Sequence, residues 1–153
     1  MSVDLAELVS PWRTAVVTSE MQNGVIGEQA ALPELAAVAR AGALPATVRL
    51  VEAARRAGVE VVHALFERRP DGKGSNTNAR LFHAVAGREV KLAPGTPAVE
   101  VVPEIGVAPT DIVLRRRHGI GPMGGTDLDP VLRNLGVTTI VAAGVSVNVA
   151  ITN

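Results

Sequence analysis

Four short stretches, residues 15–18, 59–66, 111–114 and 138–143, restrict the possible folds more than any other feature of this chain. They are rich in β-branched residues and continuous rather than alternating in polarity. That is the pattern of parallel strands covered on both faces, not of strands with one wet side. Helical patterns fill the intervals. Pro45 can occupy a first helical turn, with Leu44, Val48 and Val51 recurring at helical spacing and Gly58 as the stop. Thr126 is placed to cap a second helix, in which Leu128, Val131, Leu132 and Leu135 share a face and Gly136 ends it. Residues 31–43 and 78–86 read as two more. Strands alternating with helices imply βαβ units, hence a three-layer α/β/α sandwich around a mostly parallel, doubly wound, Rossmann-like sheet.

The 153 residues suit one domain, read here as spanning 1–153, and 47% hydrophobic content is enough to build a core. Aromatic side chains are limited to Trp12, Phe66 and Phe82, so the core is built from Val, Leu, Ile and Ala. The same scarcity removes any aromatic platform for single-stranded nucleic acid. Basic and acidic residues balance at 15 each, which gives no electrostatic reason to expect nucleic acid or an anionic membrane as partner. No apolar run approaches the roughly 18 residues of a membrane span, and the first residues carry acids without a basic leader. With no cysteine there is no disulfide and no thiolate metal site. A cytoplasmic protein is expected. The segment 67–76, polar and containing glycines, has the length of an active-site or interface loop.

Chemistry is expected at three strand ends. The first strand runs Thr14-Ala15-Val16-Val17-Thr18-Ser19 into Glu20-Met21-Gln22. A carboxyl group at the mouth of an apolar strand is partly desolvated, which suits proton transfer near neutral pH. The third strand leads into Arg115-Arg116-Arg117-His118 and then a glycine-rich loop closing with Gly125-Thr126-Asp127-Leu128. That loop matches no phosphate-binding fingerprint, and Asp127 and Asp129 would repel an anion at the following helix. The fourth strand enters Gly144-Val145-Ser146-Val147-Asn148-Val149-Ala150, a strand-to-helix turn of the kind that displays ligands and nucleophiles in open α/β sheets. His63, His83 and His118 lack the spacing of metal ligands, so neither metal nor cofactor is expected.

In these motifs the chain resembles the isochorismatase-like (cysteine hydrolase) superfamily, over roughly residues 14–153. The resemblance implies an aspartate after the first strand, a lysine after the third and a cysteine after the fourth. Here those positions hold Glu20, Arg116 or Arg117, and Ala150. It also places a non-proline cis peptide near Val145-Ser146 and assigns substrate contacts to Gln22, His118, Met123, Val145 and Ser146. A homo-oligomer, dimer or tetramer, is expected, as is a further helix-strand-helix segment beyond Asn153. A one-turn helix does not hold itself, so the end of the chain is expected to be weakly ordered unless something packs there.

Amide hydrolysis through a thioester requires a thiolate, which this chain lacks. Two readings follow. In one, the protein hydrolyses a small molecule by acid catalysis of the enol ether type, with Glu20 as acid and an arginine as carboxylate clamp. In the other it is a catalytically inactive relative, a small-molecule binding or scaffold protein. Ser146 has no base beside it in sequence.

Overall fold

The computed structural model describes residues 4–152. Its helices and strands are, in chain order, α1 (Leu5–Leu8), β1 (Thr14–Ser19), α2 (Asn23–Ile26), α3 (Pro33–Val38), α4 (Leu44–Ala57), β2 (Glu60–Phe66), α5 (Arg80–Ala86), β3 (Ile112–Arg116), α6 (Leu128–Asn134) and β4 (Thr139–Gly144). The four strands form one parallel sheet in the order β3-β2-β1-β4. On one face Val16, Val61 and Leu65 pack with Leu44, Val51 and Ala54 of α4. On the other, Ala15, Val17, Val62 and Ala64 pack with Leu128 and Leu132 of α6. Helices on both faces explain why β1 and β2 are continuously apolar and buried. β3 and β4, expected to be covered in the same way, are only partly buried, with Ile140 of β4 42% exposed.

The strand order also fixes where a ligand can enter. From β1 the chain steps outward to β2 and β3, then returns to the opposite side of β1 to lay down β4. The crossovers therefore diverge at the carboxyl ends of β1 and β4. Open α/β sheets bind ligands in the crevice at such a switch point.

The elements depart from the sequence reading in three further places. The helices expected on either side of Leu44 are contiguous from α3 through α4, joined by a π-helical stretch at Ala39–Ala43. Pro45 has no N–H to give to the preceding turn, and a widened turn accommodates its ring. Gly58 ends α4 in the left-handed conformation (φ 69°), as expected of a helix stop. β3 begins at Ile112, not Asp111, and continues through Arg115 and Arg116. Thr126 lies one residue ahead of the helical cap position. Its hydroxyl accepts from the Leu128 N–H at 3.2 Å and donates to the Pro122 carbonyl. After β4, Val147–Ile151 forms a single π-helical turn in which Ala150 is buried.

Candidate active site

β1 ends in a sharp reversal. Ser19 is buried, and Glu20 takes a left-handed backbone (φ 55°), unusual for a residue with a side chain, while its N–H donates to the Ala64 carbonyl at 2.9 Å. Such positions concentrate where a fold has to aim a side chain. β4 is drawn against the same point. A Cβ on Gly144 (φ 134°) would lie 2.2 Å from the Ser19 carbonyl oxygen, so only glycine lets the two strand ends approach this closely. The Val145 N–H donates to that carbonyl at 3.2 Å, and the Val145-Ser146 peptide is cis.

The three arginines after Leu114 separate by strand alternation. Arg116 is 6% exposed and stands opposite Phe66 in the β2–β3 register, with its guanidinium carbon 5.0 Å from the centre of that ring. Its Nη2 bonds the Glu20 carboxylate and donates to the Ile120 carbonyl at 2.6 Å. Its Nη1 is buried with no hydrogen-bond partner. Arg117 turns the other way, half exposed, and donates to Glu67 at 2.8 Å. Arg115 pairs with Glu100 at 3.1 Å. Of the two arginines considered at this strand end, Arg116 meets Glu20, and Arg117 does not.

Glu20, Arg116, Val145, Ser146 and Ala150 line one cavity of about 120 Å³. Its remaining walls are apolar, among them Val25, Leu35, Phe66, Phe82, Leu92 and Ile120. Burial pushes the Glu20 carboxyl above the usual carboxylate range, although the charge and hydrogen bond of Arg116 pull the other way. A carboxyl group in this setting can hold and release a proton. Arg116 stays charged. Ala150 places a methyl in the cavity, and its N–H is used within the turn by the Ser146 carbonyl at 2.8 Å.

Three residues expected at the substrate site do not line this cavity. Gln22 is fully buried, and its amide holds the backbone of Phe66, donating to the carbonyl at 2.8 Å and accepting from the N–H at 2.9 Å. His118 is exposed, with Nε2 3.2 Å from the Gly125 carbonyl. Met123 is 37% exposed. Conversely, Phe82 and Leu81 from α5 line the cavity without having been anticipated, because apolar side chains on a short helix carry no chemical signal. Glu67, buried between Arg115 and Arg117, was missed for a similar reason: its partners lie some fifty residues on. Among the described residues no three His, Cys, Asp or Glu side chains are grouped to hold a metal ion, and no helix is long and apolar enough to cross a membrane.

Comparison with known structures gives relatives of the same architecture. A cysteine hydrolase from Pseudomonas syringae pv. phaseolicola 1448A is 30% identical, with a TM-score of 0.73 over 93% of this chain and 63% of that one. The N-carbamoylsarcosine amidase of Thermoplasma acidophilum is 27% identical, with a TM-score of 0.70 over 92% of this chain and 72% of that one. An isochorismatase family protein from Desulfovibrio vulgaris subsp. vulgaris str. Hildenborough is 26% identical, with a TM-score of 0.73 over 90% and 70%. This chain thus spans slightly less than two thirds of the length of the Pseudomonas protein. Comparison with the curated proteins gives no match. The family model of the isochorismatase domain matches residues 14–153, which takes in every strand and the whole cavity, and the chain belongs to the isochorismatase family.

Proposed function

We propose that this protein hydrolyses a small enol ether by acid catalysis, with Glu20 as the proton donor, Arg116 as the clamp and no covalent enzyme intermediate. The observation that supports this most is the meeting of Glu20 and Arg116 on the wall of a largely apolar cavity whose lining includes Ala150, the residue we read as standing at the nucleophile position. In the structure the two are paired. A substrate carboxylate that takes the guanidinium removes the charge that lowers the Glu20 pKa and leaves the burial that raises it, so Glu20 takes up a proton.

The protonated carboxyl then gives its proton to the terminal vinyl carbon, and the ether oxygen shares the resulting cation. Water adds to that cation and returns a proton to Glu20. The hemiketal collapses to a ketone and an alcohol, so the net change is addition of one water and cleavage of one C–O bond. Arg116 keeps the substrate fixed throughout without moving a proton, since its guanidinium does not deprotonate.

The binding reading has an observation of its own, the Glu20–Arg116 ion pair, in which each charged group is already engaged by the other. A parallel screen of small enol ethers, amides and esters against the parent and an Ala150→Cys variant separates the two. Enol ether turnover by the parent supports acid catalysis. Amide or ester turnover confined to the variant marks a site that has lost only its thiol. No turnover in either leaves binding as the function.

A further inference from the structure

Phe82 and Val85 of α5 take no part in the proposed chemistry, yet they line the Glu20–Arg116 cavity and also a second one of about 400 Å³. Phe66 and Leu92 do the same. Side chains that line two cavities stand between them, so these four form a partition. Two of the four are held from elsewhere. The Phe66 ring carries the Arg116 guanidinium, and Leu92 lies so close to Gly24 that a Cβ there would clash with its Cδ2. Phe82 and Val85, by contrast, come from a helix that buries none of its residues.

The polar end of the first cavity is fixed. Arg116 Nη2 is taken by Glu20 and the Ile120 carbonyl, while Nη1 is buried with no hydrogen-bond partner among the described residues. A buried donor without an acceptor is costly, and a carboxylate oxygen relieves that cost. The other walls are mostly apolar and suit a hydrocarbon tail, but the space is only about 120 Å³. An apolar cavity of roughly 150 Å³ holds a molecule the size of benzene, about six heavy atoms. We propose that Phe82 and Val85 set the length of ligand this cavity accepts: a monocarboxylate of about four or five carbons, its head on Arg116 and its tail stopped at the partition. This selection depends on Arg116 as the carboxylate clamp of the proposed function, and not on acid catalysis by Glu20.

The test titrates straight-chain acids from propanoate to octanoate against the parent, Phe82→Ala, Val85→Ala and Arg116→Gln, with binding followed by protein NMR shifts. Each methylene that enters the cavity should tighten binding about fourfold, and in the parent the gain should stop near pentanoate. Phe82→Ala opens the partition, so the gain should continue to octanoate, which then binds about tenfold or more tightly than it binds the parent. Val85→Ala should move the stop by about one carbon. Arg116→Gln should weaken every acid by about tenfold or more. A variant that is merely loosened weakens all acids alike and leaves the stop where it was, so the position of the stop is the readout. Turnover plays no part in these titrations: a parent that hydrolyses no enol ether but stops near pentanoate loses the catalytic reading and keeps the length selection. An uninterrupted gain to octanoate in the parent, an unmoved stop in Phe82→Ala and Val85→Ala alike, undiminished binding by Arg116→Gln, or no binding of any acid by the parent overturns the proposal.

Discussion

Replacing Gln22 with leucine tests whether that amide serves the fold or the ligand. The side chain is fully buried, and its hydrogen bonds to the backbone N–H and carbonyl of Phe66 measure 2.9 and 2.8 Å. A third contact, to the Ala98 carbonyl at 3.5 Å, adds little. Leucine keeps roughly the volume but leaves two buried backbone groups unpaired, at about 1–3 kcal/mol each. Burial of the new apolar surface offsets about 1–2 kcal/mol of this. The expected net loss is about 2–4 kcal/mol, or a melting temperature lower by roughly 5–15 °C for a chain of this size. Equilibrium unfolding in urea, followed by far-UV circular dichroism, measures it, with an unchanged slope as the sign that only stability has moved. A loss below about 0.5 kcal/mol would refute the reasoning, because orphaned backbone groups at the β1–β2 junction cannot be that cheap.

Two further outcomes follow from the same geometry. His63 is fully buried, 2.8 Å from the Thr18 hydroxyl and 3.1 Å from the Asp111 carboxylate, and burial holds its imidazole below the ordinary 6.5 despite the upward pull of Asp111. Its contribution to stability is complete above the unfolded-chain value of 6.5 and declines as pH falls from there toward the lower folded-state pKa, as the unfolded chain takes up a proton that the folded one refuses. The urea midpoint should fall on mild acidification, at up to about 1.4 kcal/mol per pH unit, and His63→Asn should flatten that slope; identical slopes would contradict the assignment. Gly144→Ala forces a methyl against the Ser19 backbone and should cost more than about 3 kcal/mol, whereas Gly58→Ala, with nothing within 4 Å, should cost about 1 kcal/mol. Comparable melting temperatures for the two variants would remove the argument for close β1–β4 contact.

How much of this was legible in the sequence follows from what each feature depends on. β1 and β2 were readable because burial on both faces leaves no polar alternation, and the helix stop at Gly58 because a left-handed position favours glycine. The extension of β3 over Arg115 and Arg116 was not, since two arginines resemble a strand only once Phe66, Glu20 and Glu100 supply partners from distant segments. Which of Arg116 and Arg117 meets Glu20 had to wait for the register, which puts neighbouring residues on opposite faces. Gln22 looked like a site residue because it follows Glu20 closely, yet its partner is the backbone of β2, 44 positions away. His63 and Asp111, 48 residues apart, met in the same way.

The measurement that bears most directly on acid catalysis by Glu20 is proton NMR of enol ether probes in D₂O with the parent and Glu20→Gln. If the paired carboxyl delivers the proton, the parent releases a ketone carrying one deuterium at the former vinyl carbon, and Glu20→Gln runs at the uncatalysed rate. Turnover by Glu20→Gln at the parent's rate, or release of ketone by the parent without deuterium at that carbon, would contradict it.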